Sequence, residues 1–433
     1  MRIISILSWA GAATSYAVRN AVRIKSQRVQ LPDYHKNAGV LRYVNPLIGT
    51  NGANPDNNGG MIPSVSIPFG MTRWTPQTRG NFISQVPCHD TDQYIHGFQA
   101  THQPAIWMGE QGQVVLTPGW SQEIKALFQE RGLAFRKEDE VSTPYVYEVL
   151  LNADTQGEHG WNLTEEAAGG GPVPGGAGSA PLAVIVGANG RIRRSKREPN
   201  ARDRTIRAAM GATAHVGFLR FDFEDAFGSE GLSTEPYIHV QASHMGWNGD
   251  IRIDPGRSEI SGSNTERQDY KLGPNRSVSF KGFFISRFSI PFSSFGTTNG
   301  GNVTGNSAHI SGGFSGGYVK FPANTTRVEV RTAVSFVSVE QARKNLEFEV
   351  PDDMSFEDMI ESTKHTWLDK LGRVTIEGVN STDKEHDPRT IWYTGLYHAL
   401  QYPNDFSEPL SDETGSAKVY YNGYADSVHK SNE

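Results

Sequence analysis

From Leu41 onward the chain alternates between apolar and polar positions in short runs. Leu219, Phe221 and Phe223 fall on one side of an extended backbone, as do Ile238, Val240 and Ala242. Val328, Val330, Thr332, Val334 and Phe336 form the longest run of period two. Side chains of a strand point alternately to its two faces, so these runs predict antiparallel strands with one buried face. The segment 291–317 is dense in glycine and serine and is read as long hairpin loops. Near residue 352 the period changes. Ser355 opens a Ser-x-x-Asp capping pattern, and Phe356, Met359, Ile360, Thr363, Trp367 and Leu371 then recur at helical spacing. A second helix is predicted from Asp387-Pro388, a capping residue followed by proline at the first helical position. Its apolar stripe is Ile391, Trp392, Gly395, Leu396, Ala399 and Leu400, read as core, and Pro403 ends it.

The organisation is therefore a β domain over 41–350, a helical linker over 351–372, and the opening of a helical domain over 373–433. Residues 1–17 are signal-like: Arg2 supplies a positive start, Ile3 to Ala13 are mostly apolar, and Ser15-Tyr16-Ala17 is a small-x-small site. The run is too short to span a bilayer, and secretion is the compartment it predicts, with a cytosolic or vacuolar protein as the alternative. Residues 18–40 read as a linker. Five Asn-x-Ser/Thr sequons, at Asn162, Asn275, Asn302, Asn324 and Asn380, lean the same way. Residues 155–205 break the pattern with AAGGGPVPGGAGSAP and then Arg191, Arg193, Arg194, Lys196, Arg197, Arg202 and Arg204. They are read as a disordered insertion or translated non-coding sequence rather than an anion-binding patch, since the flanks on either side join sensibly.

Composition narrows the function classes. The 433 residues carry a formal charge of -6, which gives no reason to expect a nucleic-acid partner. The single cysteine, Cys88, excludes an internal disulfide and reads as a small core residue.

Ordered motifs go further. They run from Tyr43-Val-Asn-Pro-Leu-Ile-Gly-Thr50 through Pro63-Ser-Val-Ser-Ile-Pro-Phe-Gly-Met71 and Thr75-Pro-Gln-Thr78. His96-Gly-Phe-Gln-Ala-Thr-His102, Gly112 to Pro118, Ala212 to Phe223, Ser335 to Ala342, Trp367 to Leu371 and Ile391 to Leu400 follow in order. No piece is decisive alone, but the set resembles the N-terminal portion of glycoside hydrolase family 92, the calcium-dependent exo-α-mannosidases, over about 41–425. The resemblance implies a large antiparallel β-sandwich of the galactose-mutarotase type, a helical linker and the start of an (α/α)6 barrel. It implies an inverting exo-α-1,2-mannosidase acting on mannose-containing glycans, N-glycan or mannan, with bound Ca2+. Such chemistry needs one carboxylic acid to protonate the leaving oxygen and a second carboxylate to activate water. The resemblance places both, and the calcium ligands, in the barrel domain, beyond a Trp-Asp-Thr-Phe-Arg type motif that this chain lacks. No catalytic residue and no metal ligand is therefore expected within it, and the chain by itself is expected to be inactive. The alternatives are a non-catalytic carbohydrate-binding β-sandwich module and an inactive truncation.

Substrate contact is what this portion could supply. In Asn57-Asn58-Gly59-Gly60 the glycines would let backbone approach a sugar closely, an ordinary turn being the alternative. The stretch after Thr101 holds His102, Gln103, Trp107 and Glu110, which offer an aromatic face for sugar C–H groups and polar partners for hydroxyls. The family's Gly-Thr-Gly stretch is replaced here by Pro104 to Trp107, which bears on linkage preference. Asp405, Glu408, Asp412 and Glu413 could serve calcium or acid/base chemistry but read as solvated loop charges. Tyr420, Tyr421 and Tyr424 are similar to tyrosines of the family's loop before the absent motif.

Overall fold

The computed structural model describes residues 34, 36–51, 59–80, 86–102, 111–157, 204–225, 234–243, 247–267, 277–379, 386–410 and 417–431. The predicted period-two runs form two antiparallel sheets packed face to face. The first has the order β1 (Arg73–Gln77), β3 (Gly97–Thr101), β4 (Val114–Gly119), β9 (Tyr237–Gln241), β16 (Ser315–Lys320), β13 (Ser294–Asn299) and β14 (Asn302–Gly305). The second runs β15 (His309–Gly312), β10 (Gly249–Asp254), β11 (Glu259–Asn264), β12 (Gly282–Phe288), β17 (Arg327–Ser335), β8 (Val216–Asp225), β7 (Arg204–Ala212), β6 (Tyr147–Asn152), β5 (Leu133–Ser142) and β2 (Tyr94–Ile95).

The alternation dictates what lies between the sheets. Leu219, Phe221, Phe223, Ile238, Val240, Ala242, Val328, Val330, Val334 and Phe336 all enter one apolar core. Thr332 keeps the same parity, and its hydroxyl is satisfied by Ser286 Oγ at 2.9 Å. The opposite parity of β8 and β17 builds a second core on the outer face of the larger sheet. Val216, Phe218 and Ala333 meet the helices there, together with Ala38, Leu41 and Val44 from the first described residues.

After a single-turn helix α1 (Phe128–Arg131), the helices are α2 (Val339–Glu349), α3 (Phe356–Leu371) and α4 (Pro388–Ala399). Ser338, Ser355 and Asp387 cap the last three through side-chain oxygens that accept from Gln341 N, Asp358 N and Arg389 N. All six predicted core positions of α3 are buried. Trp367 is sealed in, its Nε1–H donating to Ser66 O at 2.7 Å. The stripe expected for α4 is corrected in part, since Leu396 and Leu400 do pack against the second core. Thr390, Tyr393, Thr394 and Tyr397 face inward, while Ile391 is 61% and Trp392 50% exposed. The tyrosines can face inward because their hydroxyls reach carbonyl oxygens, Val374 O at 2.7 Å and Ser64 O at 2.6 Å.

Two further expectations change. Residues 291–317 are not loops: they contain β13, β14, β15 and the start of β16, joined by tight turns with positive φ at Gly300, Asn306 and Phe314. The glycines are turn and close-packing positions within strands rather than a sign of missing structure. Most of the expected insertion, residues 158–203, lies outside the described residues. Its flanks are nonetheless placed: β6 and β7 pair directly, with Leu151 opposite Ile206 and Asn152 opposite Thr205. Arg204 closes the rung below through two hydrogen bonds from its guanidinium to Asp154 Oδ1, at 2.9 and 2.7 Å. Finally, β18 (Glu408–Pro409), β19 (Lys418–Asn422) and β20 (Ser427–Ser431) form a small sheet.

Candidate functional site

The ladder registers bring one end of each sheet together. Arg73 pairs with Thr101, and Ala100 with Val114, so the start of β1, the end of β3 and the start of β4 are neighbours. Ser335 lies opposite Phe283, and Ala333 opposite Val216, which adds the end of β17 and the β7–β8 turn. The two sheets touch backbone to backbone at this end. A Cβ on Gly112 would lie 2.9 Å from Gly282 Cα, so no side chain fits at either position. Segment 401–408 crosses over the same end. Phe69 N donates to Leu400 O, Asp405 N to Phe69 O, and Asn404 Nδ2 to Gly70 O.

Three polar groups organise this junction. Arg73, 6% exposed, donates to Gln401 Oε1 at 3.3 Å and to the Tyr402 hydroxyl. Gln401 Nε2 donates in turn to Ser64 Oγ at 2.8 Å. His398 lies close to this arginine, and burial followed by the Arg73 charge brings its pKa down to about 4, so the ring is neutral.

The second group is His215 in the β7–β8 turn. Its Nδ1–H donates to Glu349 Oε1, its backbone N to Glu349 Oε2 at 2.9 Å, and Thr213 Oγ1 also donates to that carboxylate. Burial opposes a charge on the ring. The adjoining Glu349 carboxylate, with Glu408 and Asp405 behind it, outweighs burial and raises the pKa of His215. Burial likewise opposes the charge of Glu349, but His215 prevails and holds its pKa below the usual range. The pair is a charged clasp between the sandwich and the end of α2. His215 Nε2 is buried without a hydrogen-bond partner among the described residues.

The third group is Glu408, which is fully buried. It accepts from Phe336 N at 2.9 Å and from Asn345 Nδ2 at 2.8 Å, and Asn345 Nδ2 also donates to Val334 O at 2.9 Å. Burial raises its pKa. The expectation of solvated loop charge is therefore overturned for Glu408, whose carboxylate replaces water with donors at the end of β17. Asp405 does remain exposed, held by Ser407 and Lys418, and residues 412 and 413 lie outside the described residues.

The predicted substrate contacts divide. His102 is 3% exposed; its Nδ1–H donates to Gln111 O at 2.9 Å and its Nε2 accepts from Thr72 Oγ1 at 2.8 Å. Burial lowers its pKa to about 4, and the ring packs on Phe336 at 4.9 Å. It fixes the point where residues 103–110 leave β3. Gln103, Trp107 and Glu110 lie outside the described residues, as does Asn58. At Gly59 the close approach is to the chain itself: a Cβ would lie 2.0 Å from Gly49 O. Gly60 has φ +86 and open space around its Cα. Of the tyrosines, Tyr421 bonds Ser277 and Asp426, Tyr420 stacks on His429 at 5.7 Å, and Tyr424 is 85% exposed.

His215, Glu349 and Arg73 were not singled out from sequence. His215 lay inside the Ala212–Phe223 motif, but nothing in one dimension ties it to a glutamate 134 residues away. Among the described residues no three His, Cys, Asp or Glu side chains converge as a metal would require. Glu349 and Glu408 are committed to protein donors. The described residues thus form a polar, hydrogen-bonded junction between the ends of the two sheets and segment 401–408.

Comparison with known proteins gives this junction its context. The glycosyl hydrolase family 92 N-terminal domain matches residues 43–335, and the glycosyl hydrolase family 92 catalytic domain matches 341–433. A protein of Arthroderma benhamiae named an uncharacterized secreted glycosidase is 26% identical over 85% of this chain and 42% of its own length. A family 92 inverting mannosidase of Bacteroides thetaiotaomicron superposes with a TM-score of 0.68 at 26% identity, over 90% of this chain and 43% of that one. A family 92 α-mannosidase of the same organism gives a TM-score of 0.62 at 18% identity, over 90% and 44%. The chain thus spans less than half the length of these relatives. The sandwich, the helices behind it and the clasp between them fall within the two matched domains in the family's own order, and the chain belongs to glycosyl hydrolase family 92.

Proposed function

We propose that this chain is the sandwich-bearing portion of a secreted exo-α-mannosidase that removes terminal α-1,2-linked mannose from N-glycan or mannan chains with inversion. One observation carries the reading: both family 92 domains match in immediate succession, at 43–335 and 341–433. The name of the 26%-identical Bacteroides relative supplies inversion and mannose, and that of the Arthroderma relative supplies secretion. In an inverting reaction the leaving oxygen takes a proton from a carboxylic acid while a carboxylate removes one from water attacking the opposite face of C1. That requires two carboxyl groups about 6.5–9.5 Å apart with room for the water. Glu349 and Glu408 are unsuited to it, since each is already bonded within the junction. The reading includes a calcium ion with oxygen ligands outside the described residues, which themselves assign it no step.

A second reading is sugar binding without hydrolysis by the 433 residues taken alone, in which Glu349 and Glu408 serve the junction and not the chemistry. The test is mannose release from α-1,2-mannobiose by the full 433-residue chain, with calcium and with a chelator, beside calorimetric titration with the same disaccharide. Binding without release is the expected result for this chain, with calcium-dependent release by a longer product of the gene. Calcium-dependent release by the 433 residues would place acid and base within them and overturn the inactivity. Neither binding nor release from either protein would sink the mannosidase reading.

A further inference from the structure

Two of the five sequons fall on described residues, Asn302-Val303-Thr304 and Asn324-Thr325-Thr326. Asn302 is the first residue of β14, directly after the Gly300-Gly301 turn, and pairs with Asn299. Residues 302–305 are exposed throughout. Asn324 is exposed in the turn between β16 and β17, which Thr325 N closes on Pro322 O at 2.9 Å. Neither side-chain amide is engaged by another group of the protein among the described residues. Both asparagines therefore present a solvated amide on a tight turn, which is the geometry a glycosylating enzyme can reach.

The surroundings of Asn302 add a reason of a different kind. β14 is the last strand of the seven-stranded sheet and, among the described residues, pairs only with β13, so one side of its backbone is an open ladder edge there. Val303, 43% exposed, lies on this strand, and Phe314, 46% exposed, lies beside the same turn, its carbonyl accepting from Gly300 N at 3.1 Å. An open edge carrying exposed apolar side chains is a template for pairing with a second chain, and proteins normally charge or cover such edges. The register places Asn302 opposite Asn299 and Asn299 opposite Ser315. Two strand spacings, about 10 Å, therefore separate Asn302 from the residue after Phe314, within reach of the first sugars of a glycan. Four to six strand spacings, about 19–29 Å, separate β14 from the β4, β3 and β1 ends at the junction, so a glycan there leaves the candidate site clear.

We infer that Asn302 and Asn324 are N-glycan acceptors, and that the glycan on Asn302 covers the β14 edge and its apolar neighbours. In the transfer, Asn Nδ2 bonds to C1 of the first sugar of a polyprenyl-pyrophosphate-linked oligosaccharide. The C1–O bond to pyrophosphate breaks, pyrophosphate leaves with the electron pair, and the amide gives up one proton. The inference rests on the secreted assignment proposed for this chain, and the experiment separates the two.

The full chain is expressed in a eukaryotic secretory host behind a heterologous signal sequence, and in parallel with its own N-terminus. Glycopeptide mapping of the first protein is expected to show glycan on both asparagines, with N302Q, N324Q and Thr304→Ala each losing one glycan's mass. In sedimentation velocity N302Q and Thr304→Ala are expected to gain concentration-dependent association that N324Q lacks. Folded, secreted protein with either asparagine bare overturns that acceptor. Occupied Asn302 with unchanged sedimentation in both of its variants overturns the edge-covering role. Occupancy behind the heterologous signal together with cytosolic, unmodified protein from the native N-terminus overturns the secreted assignment and, with it, the modification in the cell.

Discussion

The clasp between His215 and Glu349 makes the sharpest prediction. Glu349→Gln removes the charge that holds the imidazolium and leaves a buried ring whose remaining neighbours, Glu408, Asp405 and the neutral His102, face it from the crossing segment and from β3. Breaking one partner of a buried ion pair costs about 3–5 kcal/mol. The side chains here are 5% and 12% exposed, which puts the expected loss near the lower figure, about 3 kcal/mol. The pH dependence follows from the two shifts. The folded pKa of His215 is raised, so its contribution is complete below the unfolded value of about 6.5 and disappears as pH climbs through the folded one. The folded pKa of Glu349 is lowered, so its contribution is present above about 4.3 and disappears as pH falls through the folded one. The pair should contribute most between roughly pH 4.5 and 6.5. Urea unfolding followed by the fluorescence of buried Trp367 and Trp74 measures this, with a double-mutant cycle using His215→Gln. The expected result is a larger loss for Glu349→Gln at pH 5.5 than at pH 9, with coupling between the two sites at the lower pH. An equal loss at both pH values, or additive single mutants, would refute the charged clasp.

Two other outcomes follow from the packing. Trp367→Ala should lose about 3–5 kcal/mol on denaturant unfolding, because it empties a fully buried site, whereas Trp367→Phe should lose about 1–3 kcal/mol by leaving Ser66 O without its donor. Replacing 158–203 with a turn of about six residues should leave the fold intact and raise stability by up to about 2 kcal/mol, three halvings of loop length; insoluble product or a lowered melting temperature would show that the excised residues pack on the sandwich.

The two sheets were legible because a strand reports its buried face every second residue, and the core positions of β8, β9 and β17 were readable directly. Helix α3 was legible for the same reason at its own period. The errors came where hydrophobicity alone was asked to assign a face. In α4, Ile391 and Trp392 carry no hydroxyl and read as the more apolar pair, yet Tyr393 and Tyr397 turn inward because Val374 and Ser64 offer carbonyls for their hydroxyls. In 291–317 the glycines suppressed every strand signal although neighbouring strands hold them in register. Glu408 looked like a loop charge because its donors, Phe336 N and Asn345, stand 72 and 63 residues away along the chain. Family membership was readable from ordered motifs, whereas the junction that gives those motifs their purpose exists only in three dimensions.

The second core also fixes an order of events during synthesis. Asn45 N donates to Thr394 Oγ1 across 349 residues, and Trp367 meets Ser66 across 301. At ribosomal rates of about 5–20 residues per second, the strap formed by Ala38, Leu41 and Val44 must wait roughly 20–70 s for the helices that cover it. Within that interval Val216 and Phe218, on the outer face of the larger sheet, are made well over a hundred residues before the helix that carries Phe356. The second core is therefore completed only once α4 has been made.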